Sequence, residues 1–160
     1  MIVSSPGLST MTDNITSILN DLVETSKDGE QGFRTAAEDT KTAELREVFS
    51  RRADNCAKGA AELQQVISRL GGHPQERGSI AGAVHRGWVN LKAAATGRSD
   101  LAILEECERG EDVAKARYRK ALEEKLPEEI RSIVQRQYDG VQRNHDQIRD
   151  LRDRYRDNAA

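Results

Sequence analysis

Five residues of this 160-residue chain have the types and placement of a metal centre: Glu30, Glu62, Glu108, Glu111 and His145. Each falls on or beside an apolar stripe of helical periodicity, where leucine or valine is the ordinary occupant. A carboxylate or imidazole buried there loses its hydration, a cost met only by a counter-charge or a metal ion. Glu30 and Glu62, and again Glu111 and His145, are separated by a length of chain that spans a helical hairpin. If each turn lies near the midpoint, the members of a pair sit at similar heights, because an α-helix rises about 1.5 Å per residue. Carboxylate oxygens with one imidazole suit iron, manganese or zinc better than copper(I), which prefers sulfur ligands. A metal ion is therefore the expected cofactor and partner, with no catalytic residue singled out. The competing reading is a hydrogen-bonded polar network, with arginines such as Arg34 or Arg109 as counter-charges.

These residues need long helices to position them, and the chain supplies the pattern for four. Helix A is expected to start at Thr12-Asp13-Asn14, whose side chains can cap free amides. Its stripe runs Ile15, Ile18/Leu19, Leu22, Ser26, Glu30, Phe33 and Ala37. Gly29 and Gly32 within it suggest close backbone packing. Helix B carries Leu45, Val48/Phe49, Ala53, Cys56, Ala60, Leu63, Ile67 and Leu70, and Gly71-Gly72 followed by Pro74 ends it. Helix C begins near Ser99-Asp100, with Leu101, Leu104, Cys107/Glu108, Glu111, Ala114, Tyr118 and Ala121/Leu122 on one side. Helix D opens at Pro127-Glu128-Glu129 and continues through Ile130, Val134, Tyr138, Val141, His145, Ile148 and Leu151. Between B and C, a long crossover with a short helix of its own (Ile80, Val84, Trp88 and Leu91 on one face) suits a chain travelling the length of a bundle. Trp88 is the expected anchor of that segment. The fold class is therefore all-α, an antiparallel four-helix bundle.

The stretches LNDLVETSKDGEQGF, GSIAGAVHRGWVNLK and ECERGEDVAKARY resemble a bacterial ferritin-like family of proteins of unknown function, over nearly the whole chain from Ile15 to Tyr155. The crossover motif around His85-Arg86-Gly87-Trp88 is the most specific part. The resemblance implies a ferritin-like bundle but no established activity. The wider di-iron superfamily uses one glutamate from each of two helices and Glu-x-x-His from each of the other two. Here helix A offers Glu30 and helix C Glu108 or Glu111. Helix B reads Glu62-x-x-Gln65 and helix D Gln142-x-x-His145, so two expected ligands are amides. A single metal, a weaker dinuclear site and an emptied ancestral site all remain open.

Composition narrows the remaining classes. Charged residues make up 32% of the chain and aromatic residues 4%, with a formal net charge of −2 and both signs interleaved. No clustered basic face suggests nucleic acid, and no apolar run approaches the roughly 20 residues that span a bilayer. Cys56 and Cys107 make no disulfide framework, which leaves cytoplasm as the expected compartment. Residues 1–11 read as a disordered leader, with Met11 as a possible working start, and 12–160 as a single domain. The expected function is metal or oxidative-stress handling by a ferritin-like bundle. The alternative is a non-catalytic helical-bundle scaffold with a degenerate site, and in either case a homodimer.

Overall fold

The computed structural model describes residues 6–78, 88 and 99–159. Among these residues the chain forms four α-helices and no strand: α1 (Pro6–Asp39), α2 (Ala43–Arg69), α3 (Asp100–Leu122) and α4 (Glu128–Ala159). Helix α1 starts six residues earlier than the Thr12 signal implies, so residues 6–11 of the expected leader belong to it. The reason is local. Proline lacks an amide hydrogen that a first turn could not use, and its fixed φ suits a helix start. Residues 1–5 and the expected short helix of the crossover, Trp88 apart, lie outside the described residues.

Helix α2 stops where the glycine pair predicts. Gly71 takes φ +84, a left-handed conformation that a side chain resists. Its N–H bonds the Ser68 carbonyl, and the Gly72 N–H bonds Ile67, which satisfies two carbonyls at the helix end. At the head of α3, Ser99 Oγ accepts from the Ala102 N–H at 3.3 Å, a side-chain cap. The α3–α4 turn is held by Arg131, which donates to the carbonyl of Leu122 at 2.8 Å and to that of Glu124.

Cross-helix contacts give the direction of each helix. Thr40 at the end of α1 bonds Asp100 at the start of α3, and Ser26 meets Tyr118 further down, so α1 and α3 are antiparallel. Glu44 and Glu62 of α2 pair with Arg154 and Arg136 of α4, which makes α2 and α4 antiparallel too. Consequently α2 and α3 run the same way, and the chain leaves α2 at one end of the bundle and enters α3 at the other.

The apolar core has two parts. One gathers Phe33, Leu45, Phe49, Ile103, Leu104 and Ile148 at the Thr40–Asp100 end. The other gathers Leu19, Leu22, Leu63, Ile67, Ile130 and Val134 at the opposite end. Polar side chains lie between the two. That division follows from the stripes themselves, which carry Ser26 and Glu111 at mid-length, beside Cys56 of one cluster and Tyr118 of the other.

Candidate functional site

The polar level of the bundle is centred on a buried ion pair. Arg52 Nε of α2 donates to Glu111 Oε1 of α3 at 2.7 Å, and Nη2 reaches Oε2 at 3.4 Å. Both residues are almost fully covered, at 7% and 1% exposure. Burial alone would lower the pKa of the guanidinium, but the adjacent Glu111 carboxylate reverses that and raises it. Arg52 also lies over the Phe33 ring, 5.7 Å from its centroid. A buried charge is tolerable here because an opposite one is held against it.

Beside the pair runs a connected set of hydrogen bonds. Ser26 Oγ and Tyr118 Oη are 3.2 Å apart, Tyr118 Oη donates to Gln137 Oε1 at 2.8 Å, and Gln137 Nε2 donates to Glu62 Oε1 at 2.7 Å. Arg136 completes it with an ion pair to Glu62. The set begins at a buried phenol and ends at a half-exposed carboxylate. Burial pushes the Tyr118 hydroxyl up to about 12. Burial likewise pushes the Cys56 thiol up to about 11 and that of Cys107 well above its ordinary value. Neither cysteine is in a disulfide, and neither has the lowered pKa of a nucleophile.

Trp88 closes one wall. Its ring meets Phe33 edge-on, with centroids 5.0 Å apart. It lies between Gly32 of α1 and Gly110 of α3, where a Cβ would come within 2.2 and 2.3 Å of the ring. Only glycine at both positions leaves room for Trp88 against the main helices; the rest of its segment lies outside the described residues. Helices α2 and α4 stand apart at this level, and a cavity of about 630 Å³ opens between them toward Trp88.

The five residues singled out from the sequence are distributed over several partners. Glu111 and Glu62 both border the cavity, Glu111 held by Arg52 and Glu62 by Arg136 and Gln137. Glu30 turns to Lys27 and Arg34, and Arg34 also reaches Asp54. Glu108 pairs with Arg152 of α4. His145 Nε2 is 2.6 Å from Asp112 Oδ1, and its Nδ1 is 3.3 Å from Asp146 Oδ1. Among the described residues no three His, Cys, Asp or Glu side chains come together as a metal-holding group.

Helix register explains the spread. The α1–α2 turn lies at residues 40–42, short of the midpoint between Glu30 and Glu62. Gly29 is therefore level with Cys56, whose Sγ would be 3.0 Å from a Cβ there. Glu62 sits more than a turn further along, about 9 Å by helical rise. Glu111 and His145 do share a level, but His145 faces Asp112, about 100° around α3 from Glu111.

Arg52, Gln137 and Gly110 are the site residues that periodicity missed. Arg52 stands three residues after Phe49 and four before Cys56. Those are core steps, and they would have placed it inward beside Ala53.

The sequence profile of the family described as domain of unknown function (DUF2383) matches residues 14–124. The chain belongs to that family. The match takes in Ser26, Arg52, Glu111 and Tyr118 and ends before α4. No curated protein matches the chain. Among the described residues no helix is long and apolar enough to cross a membrane.

Proposed function

We propose that this chain is a ferritin-like helical bundle in which a protein ion pair occupies the place of a metal centre, and that it works as a non-catalytic binding protein. The helix directions support the ferritin-like part: α1 and α4 run one way, α2 and α3 the other, with a long link between α2 and α3. The Arg52–Glu111 pair carries the functional part. A guanidinium is a fixed cation that cannot be displaced by deprotonation. Where it already neutralises the buried Glu111 carboxylate, a metal gains that partner only by leaving Arg52 buried and unpaired. Glu30, Glu62 and Glu108 are each engaged by an arginine as well. The donor set therefore does not fit a di-metal centre, in contrast to the metal or oxidative-stress handling anticipated from the sequence.

Elemental analysis of purified protein, before and after exposure to Fe(II) under air, tests this reading. The expected result is no iron, manganese or zinc near stoichiometry and no slow iron oxidation above the buffer rate. Stoichiometric metal that disappears in Glu111→Ala would overturn it. The homodimer belongs to the same proposal, and light scattering should give twice the mass of one chain.

A further inference from the structure

The cavity between α2 and α4 has the size of a ligand pocket, within the roughly 300–1,000 Å³ typical of small-molecule sites, and its charge is unbalanced. Among the described residues it is bordered by four cations, Arg52, Lys58, Arg136 and Arg143, and by two carboxylates, Glu62 and Glu111. Arg136 is matched by Glu62 and Arg52 by Glu111. Lys58 and Arg143 make no ion pair among the described residues.

The register of α2 against α4 puts those two cations together. Glu44 pairs with Arg154 and Glu62 with Arg136, which sets Arg143 across from Asn55, between Arg52 and Lys58 on α2. Arg52 adds inner donors. Of its five N–H groups, two are directed at Glu111, and the others meet no side-chain or backbone acceptor among the described residues. At the far wall stands the half-buried ring of Trp88, which meets the fully buried Phe33 edge to face. Cationic donors on one side and the indole of Trp88 on the other are complementary to one kind of guest.

We infer that this cavity binds a small organic anion with an apolar body, the acid group held by Lys58, Arg143 and the unengaged edge of Arg52, the body against the uncovered part of the Trp88 ring. The inference rests on the reading that Arg52 and Glu111, rather than a metal, fill the polar level of the bundle. A carboxylate suits the site because a planar guanidinium offers it paired hydrogen bonds. An uncharged guest of the same shape would leave Lys58 and Arg143 unmatched.

The probe is 1-naphthoate, with neutral 1-naphthamide as its control, added to the full-length protein. Trp88 is the single tryptophan of the chain, so its fluorescence reports the wall directly, and calorimetry gives the stoichiometry. One naphthoate per chain should bind saturably, about tenfold or more tighter than naphthamide. The surface variant Lys58→Ala/Arg143→Ala leaves the ion-paired core intact and should weaken naphthoate about fivefold, with unchanged circular dichroism. Equal binding of acid and amide, no saturable binding, or a double variant that binds as tightly as the parent would each overturn the inference. Elemental analysis of the same sample keeps the two readings apart. Stoichiometric metal defeats the earlier one, whereas metal-free protein that ignores naphthoate defeats this one alone.

Discussion

Arg52 and Glu111 form a hydrogen-bonded ion pair at 2.7 Å at the centre of a helical bundle, between two apolar clusters and almost fully covered. Either residue alone would be prohibitive at that depth. Together they hold α2 to α3, two parallel helices that no short loop connects.

Removing one partner should therefore cost more than removing both. Arg52→Leu or Glu111→Leu is expected to lose about 3–5 kcal/mol, because each leaves a buried charge unmatched. The double variant Arg52→Leu/Glu111→Leu should lose much less than the sum of the two. Urea unfolding of the four proteins checks this, and additive losses would show that the pair is not coupled.

The Trp88 wedge predicts an unusual response to alanine. In an isolated helix, Gly32→Ala or Gly110→Ala would stabilise by about 1 kcal/mol. Here each new methyl would meet the Trp88 ring, and overpacking of that kind costs about 1–3 kcal/mol. Both variants should be less stable than the parent, with a red-shifted Trp88 emission as the ring moves toward water. Thermal melts read against fluorescence spectra measure the two effects together.

Asp100 ties the α1–α2 turn to the first residue of α3, accepting from Thr40 Oγ1 at 2.7 Å, from the Lys41 N–H at 3.0 Å and from Thr42 Oγ1. Burial opposes ionisation there, but hydrogen bonds from Thr42, Thr40 and the Lys41 amide outweigh it and hold the carboxyl below its usual range. A pKa lowered in the folded state gives stability that is full above the unfolded value and is lost as pH falls through the folded one. Asp100→Ala should thus cost about 1 kcal/mol or more near pH 7 and progressively less below pH ~4. Denaturant titrations across pH 2.5–7 would reveal the convergence.

Tyr118 behaves in the opposite sense at the alkaline end. Its pKa is raised to about 12, so its contribution is intact below about pH 10 and disappears as pH rises through 12. Ultraviolet difference titration should show a late phenolate step that is absent in Tyr118→Phe. That variant should also lose about 1 kcal/mol, since Gln137 and Ser26 each lose a partner.

The buried thiols give a simple test of core integrity. Cys56 and Cys107 should resist iodoacetamide at pH 8 in the folded protein and react once urea unfolds it. Fast labelling of either in native buffer would mean that the bundle opens at that level.

Four helices, their amphipathic faces and most of their ends could be read from the residues alone. Gly71 ends α2 and Ser99-Asp100 opens α3 because capping and left-handed turns are decided by atoms a few bonds away. Glu111 at the core follows in the same way from its place between Cys107 and Tyr118. Periodicity of three and four needs no knowledge of distant chain. It also required something to neutralise the carboxylate.

The identity of that neutralising group came only with the tertiary structure. Whether Glu111 meets Arg52, His145 or another carboxylate depends on how far α2 slides along α3 and α4, and that follows from turn positions and packing across helices. A turn a few residues off the Glu30–Glu62 midpoint offsets those carboxylates by more than a helical turn. A rotation of one residue turns His145 toward Asp112. The pocket beside Trp88 arises similarly, from two glycines on separate helices that meet one ring. Local chemistry set the stripes and their polar breaks, and the offset between helices decided that those breaks form ion pairs around a cleft.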